Sequence, residues 1–290
     1  MPSPTARPAL PPVVSVLVAI VSVQGGAALA KGLFPLLGAT GTTGLRVGLS
    51  ALMLLALFRP AVRRLTREQW RAVVPYGVVL GTMNALFYLA LERIPLGLAV
   101  TLEFVGPLGV AVAGSRRALD VLWVLMAAAG IALIAPWSGR GIDPVGVLFA
   151  LGAGACWAAY IVLGGRVSRA MPGGAAVSIG VVVAALTVMP FAVASGGLAH
   201  LTPHLLLIGA GMALLSSALP YSMEMSALSR MPSRTFSILM SLEPAAAALC
   251  GLAFLGEHLT PPQWLAVLLV IAASAGATLA TGDRAAIIDG

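Results

Sequence analysis

Charge is what this sequence has least of. Asp, Glu, Lys and Arg together make up 9% of its 290 residues, against roughly 25% in a soluble domain. A soluble fold of this size could not cover its surface with so few, so the chain reads as an integral membrane protein. Aromatics are also scarce, at 6%, whereas glycine is plentiful at 33 residues. That balance suits helices packed backbone to backbone in a bilayer. The two cysteines, Cys156 and Cys250, both lie in apolar runs, which leaves no disulfide framework and no metal-ligand spacing. His200, His204 and His258 form no H-E-x-x-H pattern. No G-x-x-x-x-G-K-[ST] and no G-x-S-x-G occurs, so the chain carries neither a P-loop nor a nucleophile elbow. Gly25 with Gly26, and Gly152 with Gly154, read as close helix packing rather than phosphate loops. Nothing here predicts an enzyme, a cofactor or a metal.

What remains is long apolar runs punctuated by arginine. Arg7 is followed by 23 uncharged residues before Lys31, long enough for a retained first span and too long for a cleavable signal. Turn residues and charges predict helices near 12–31, 41–58, 72–91, 96–114, 119–136, 144–164, 174–195, 204–228, 234–255 and 262–281. With ten spans, one side of the membrane holds Arg7, the five arginines between 59 and 71, Arg116, Arg117, Arg166, Arg169, Arg230, Arg234 and Arg284, thirteen in all. The other side holds Lys31, Arg93 and Arg140. The net charge of +7 is therefore read as loop charge on the cytoplasmic side rather than as a nucleic-acid surface, with both termini cytoplasmic.

An internal repeat is visible. Residues 90–95 read ALERIP and residues 227–232 read ALSRMP, and each is followed at the same distance by proline, Pro107 and Pro244. The offset of 137 also maps Arg93 to Arg230, Pro95 to Pro232 and Gly114 to Gly251. The expected fold is all-α, with ten transmembrane helices arranged as two inverted five-helix repeats around a central cavity. The repeats cover 8–137 and 143–282, and 283–290 forms a cytoplasmic tail. An odd number of helices per half inverts the second half, a design of secondary transporters.

Charged residues inside spans are costly and mark cavities or partners. Glu103 lies well inside helix four. Pro107 removes a backbone hydrogen bond there and clashes with the carbonyl of residue 103, so a kink is expected beside the carboxylate. Glu243 and Pro244 set a similar kink at the equivalent depth of helix nine, although Glu103 aligns with Met240 and Glu243 with Gly106. Lys31 ends helix one and either snorkels to the interface or binds a substrate carboxylate. Arg46 falls near the start of helix two and is expected to pair within the protein or reach the headgroups. Glu224 is expected to pair near the cytoplasmic end with Arg230 or Arg234. Gln24, Asn84, Tyr88, Trp157, Tyr160 and Tyr221 complete a cavity of acids, amides and aromatic faces. Such a cavity suits a small zwitterion or an organic cation. Pro95, Pro107, Pro232 and Pro244 are the candidate gating hinges.

Long stretches carry a family resemblance. They are SVQGGAALAK at 22–31, LFPL at 33–36, PLGLAVTLEFVGP at 95–107, ALGAGACWAAY at 150–160, SALPYSMEM at 217–225, RMPSRTFSILMSLEP at 230–244 and FLGEHLTP at 254–261. Together they resemble the EamA-type exporters of the drug/metabolite transporter superfamily, and within them the bacterial exporters of threonine, homoserine and related amino acids. The resemblance implies a multi-pass protein of the bacterial inner membrane that exports small amino acids or related metabolites by alternating access. Aromatic amino acids and coupling protons are further candidates. Its partners would be the small molecule and membrane lipid, and a functional monomer is expected. The alternative is a broad-specificity exporter of drugs or organic cations such as methyl viologen. Glu257 in the FLGE segment fits a structural cap as well as a site residue.

Overall fold

A computed structural model describes residues 11–113, 118–134, 142–228 and 230–288. Among them the regular structure is helical throughout, in thirteen α-helices joined by short 3-10 and π segments. The first three are α1 (Pro12–Gly32), α2 (Phe34–Phe58) and α3 (Arg67–Leu91). α4 (Leu96–Glu103), α5 (Val105–Ala113), α6 (Ala118–Ile134), α7 (Pro144–Ala170) and α8 (Gly173–Ala194) follow. The remainder are α9 (Pro203–Ala213), α10 (Leu219–Leu228), α11 (Ser233–Met240), α12 (Glu243–Leu255) and α13 (Pro261–Ile288). Among the described residues, seven helical stretches are long and apolar enough to cross a membrane. Three shorter apolar helices, Leu96–Val110, Val121–Leu133 and Pro203–Ser217, fall where the sequence predicts its fourth, fifth and eighth spans. Large apolar side chains such as Leu52, Leu148, Leu186, Phe191, Leu207 and Phe254 face outward, as lipid requires.

Local chemistry sets the helix ends. Thr66 and Gln69 close a capping box at the start of α3, satisfying two otherwise orphaned N–H groups. The Gln69 amide also donates to the Ala170 carbonyl at 3.0 Å, tying the start of α3 to the end of α7. At the opposite end, Asp143 caps α7 by accepting from the Val145 N–H and from Arg93 at 2.8 Å. The Arg93 hydrogen bond holds the Asp143 carboxyl below its usual range. α2 is two helical pieces that meet at a kink at Gly38, so its long second piece agrees with the span expected near 41–58. Pro35 lies in the first turn of the short first piece, where proline is tolerated. Gly38, at φ 67° and ψ 167°, is non-helical and separates the two.

The kinks expected from proline are present, as short interruptions of the helix whose residues keep right-handed helical angles. α4 stops at Glu103 and α5 resumes at Val105, with Pro107 four residues after Glu103. α11 stops at Met240 and α12 resumes at Glu243, with Pro244 four residues after Met240. Glu103 and Met240 are related by the 137-residue offset, as are the two prolines. A third irregularity, unforeseen in the sequence, is a π-helical turn at Leu214–Ala218 between α9 and α10. Pro220, which has no N–H to donate, follows it. α3 packs on α7 and α8, α2 on α8, α6 on α13, α1 on α10 and α12, and α4 on α12. Backbones touch where glycines meet: a Cβ on Gly106 of α5 would lie 1.9 Å from the Gly154 carbonyl oxygen of α7.

Candidate functional site

The broken helices surround a cavity of about 300 Å³. α1 contributes Val23, Gln24 and Ala27, and α2 contributes Arg46. α3 supplies Leu80, Met83, Asn84, Phe87 and Tyr88, and α4 supplies Val100 and Glu103. Trp157 and Tyr160 come from α7, Ser216 from the π turn, Glu224 from α10, Met240 from α11 and Glu243 from α12. A side chamber shares Val23, Leu80, Tyr160, Ser216 and Glu224 with it. That chamber reaches Tyr76, whose hydroxyl donates to Tyr160 at 2.9 Å and whose ring stacks on it at 4.8 Å.

Among the described residues, Arg46 is the only cation lining the cavity. Its Nη2 donates to the Asn84 side-chain carbonyl, its Nη1 to the Ser216 hydroxyl at 3.3 Å, and its guanidinium lies 4.9 Å from the Tyr88 ring centre. Asn84 is oriented in turn by donating to the Leu80 carbonyl at 2.8 Å, and Ser216 by donating to Met212 at 2.7 Å. The Nε of Arg46 and the side-chain carbonyl of Gln24 are buried without a partner. An unsatisfied buried group of this kind costs about 1–3 kcal/mol.

Three carboxylates share the cavity with this cation. Glu103 and Glu243 are each 7% exposed, and Glu224 is half-buried. Among the described residues, none of the three forms an ion pair with Arg46. Glu103 is the last residue of α4 and Glu243 the first of α12, so both acids stand at helix breaks. Trp157 meets Phe104 edge-on at 5.1 Å beside the α4 break. The cavity therefore offers separated charges of both signs, a hydrogen-bonding amide and hydroxyl, and aromatic faces. Such a lining is chemically complementary to a small molecule that is itself both acid and base.

Of the residues predicted from sequence, Gln24, Asn84, Tyr88, Glu103, Trp157, Tyr160 and Glu243 line this cavity. Tyr221 lies on α10, and its side chain is outside the described residues. Lys31 does not line the cavity. Its Nζ lies 2.6 Å from a Glu257 carboxylate oxygen and donates to the Ile94 carbonyl at 2.7 Å. The other Glu257 oxygen accepts from the Leu96 N–H at 2.7 Å. Pro95 and Pro232 precede α4 and α11 as their N-terminal flanks, while Pro107 and Pro244 follow the two breaks. Sequence reasoning missed Arg46, Ser216 and Glu224 as cavity residues. Arg46 lies eight residues beyond the Gly38 kink, about two helical turns into the long part of α2, and it was read from sequence as pairing within the protein or reaching the headgroups.

Comparison with known proteins gives a consistent picture. The EamA-like transporter family matches residues 144–279. The threonine/homoserine exporter RhtA of Escherichia coli (strain K12) is 50% identical over 270 residues, covering 92% of this chain and 91% of that protein. The protein of the same name from Salmonella typhimurium (strain LT2) is 48% identical over 282 residues, covering 96% and 95%. The uncharacterized transporter YwfM of Bacillus subtilis (strain 168) is 28% identical over 244 residues, covering 80% and 81%. A solved crystal structure at 20% identity shares the fold, with a TM-score of 0.56 over 92% of this chain and 97% of that one.

Proposed function

The chain belongs to the EamA-like transporter family and is a transporter rather than an enzyme, and from that premise we propose that it exports small amino acids of the threonine and homoserine kind from the bacterial cytoplasm. The observation that carries this reading is the cavity, which places Arg46 and the three glutamates around one space without pairing them. Two relatives of about half-identical sequence bear the name threonine/homoserine exporter. A purely cationic substrate such as methyl viologen would meet the Arg46 guanidinium, so broad cation export is disfavoured.

The proposed architecture is ten spans in two inverted five-helix repeats, 8–137 and 143–282, in the inner membrane with both termini cytoplasmic. The proposed mechanism is alternating access by a monomer. Pro95, Pro107, Pro232 and Pro244 let the broken helices bend. Gln24, Asn84, Tyr88, Trp157, Tyr160 and Tyr221 shape the cavity, and Glu103 with Glu243 receives the substrate ammonium or exchanges a proton.

Counterflow in proteoliposomes tests the reading. Vesicles are loaded with threonine, homoserine, alanine, methionine, an aromatic amino acid or methyl viologen. Saturable exchange led by threonine and homoserine is expected. Exchange of methyl viologen alone would replace the reading with cation export. In the same assay Glu103→Gln is expected to slow exchange by about tenfold or more, the scale of losing one charge-assisted contact. Full transport with an unchanged pH profile removes Glu103 from the mechanism.

A further inference from the structure

We propose that Arg46 receives the substrate's carboxylate, so that a free carboxylate is a condition of transport. This rests on the amino-acid-export reading and adds to it the orientation of the substrate.

Arg46 is partly buried within a stretch long and apolar enough to cross a membrane, where an unpaired charge is penalised. Proteins ordinarily meet that penalty with a neighbouring carboxylate, and three carboxylates border the same cavity. None is within ion-pair distance of Arg46; its hydrogen-bond partners are neutral, the Asn84 carbonyl and the Ser216 hydroxyl. These neutral partners fix the direction of the guanidinium without cancelling its charge. These bonds use two of the five guanidinium N–H groups, so donors of a fork suited to carboxylates stay free. Gln24 lines the same cavity, and its side-chain carbonyl has no hydrogen-bond partner among the described residues. Separated basic and acidic groups, with spare guanidinium donors, are complementary to an α-amino acid, with its carboxylate on Arg46 and its ammonium toward the glutamates. The Tyr88 face beneath the guanidinium keeps the cation in place when the cavity is empty.

The test compares threonine with threoninamide and threoninol, which keep the amine and side chain but lack the carboxylate, as competitors of labelled threonine counterflow. Wild type, Arg46→Lys and Arg46→Gln are measured. In wild type, threonine is expected to compete at least tenfold better than either analogue. Arg46→Gln is expected to shrink that ratio to about twofold or less, and Arg46→Lys to retain part of it. A residue that only braced α2 against α3 and the π turn would lower transport without changing the ratio. Wild-type transport that accepts the analogues as well as threonine overturns the proposal, and this needs no variant to fold. So does an unchanged ratio in Arg46→Gln. No amino-acid exchange by folded wild-type protein removes the export reading, and the proposal with it.

Discussion

Gly106 has no side chain because the Gly154 carbonyl oxygen stands where one would be, 1.9 Å from an added Cβ. Gly154 is equally constrained, with the Glu103 carbonyl oxygen 2.7 Å from its own Cβ position. This contact holds the α4 break, and so the Glu103 carboxylate, against α7. Gly106→Ala must push the helices apart, at a cost on the order of 1–3 kcal/mol for overpacking. Gly109, one turn on, has nothing within 4 Å of its Cβ position, so Gly109→Ala serves as control. Thermal unfolding of the purified protein in detergent is expected to show a clear drop in midpoint for Gly106→Ala and none for Gly109→Ala. Equal midpoints would mean the two helices are not held as described. At this scale the sequence was readable wherever a residue carried a visible cost. Glu103 and Glu243 stood out as acids in apolar runs. Arg46 stood out too, but its place near the start of the expected span pointed to pairing or the headgroups rather than to the cavity. The chain does break its helical path at Gly38, and the helix beyond the kink carries Arg46 to the cavity wall.

At the scale of elements, the ends of α1, α4 and α12 meet in one polar knot. Gly256 takes a left-handed φ of 66° to cap α12, and the chain turns there so that Glu257 doubles back. One Glu257 oxygen lies 2.6 Å from where a Gly251 Cβ would be, so that glycine makes room for the carboxylate. Glu257 then binds the Lys31 ammonium and the first N–H of α4 together. The pair is mostly buried, with side-chain exposures of 20% and 14%, so breaking it strands a charge. We expect this knot to close the arginine-poor end of the cavity. A cysteine replacing Ala27, which lines the cavity at 6% exposure, reports on it in a protein with Cys156 and Cys250 replaced. Adding Lys31→Met or Glu257→Gln is expected to speed its labelling by a membrane-impermeant maleimide from the extracellular side several-fold. Unchanged labelling in both variants would leave the knot a structural cap. The proline breaks were legible because proline has one predictable effect on a helix. The knot was not, because an ion pair between residues 31 and 257 leaves no trace in the spacing along the chain.

At the scale of the whole molecule, the distribution of arginine argues for one orientation. Thirteen cationic residues against three is a bias that depends on the number of spans. If one of the third to eighth segments failed to cross, every later loop would change sides. Arg230, Arg234 and Arg284 would then move away from Arg7 and the five arginines between 59 and 71, and the bias would shrink. The segment most open to such doubt is Pro203–Ser217, short by itself and continued by a π turn into α10. Two fusions in whole cells decide the matter. Alkaline phosphatase inserted at His258, between α12 and α13, is expected to be active, because that loop faces the periplasm if all ten segments cross. Green fluorescent protein at the C-terminus is expected to fluoresce, because that end returns to the cytoplasm. If 203–228 did not cross, both reporters would reverse, with a silent phosphatase at 258 and a dark C-terminal fusion. The inverted relation of the two halves would fall with them, since it requires five crossings in each.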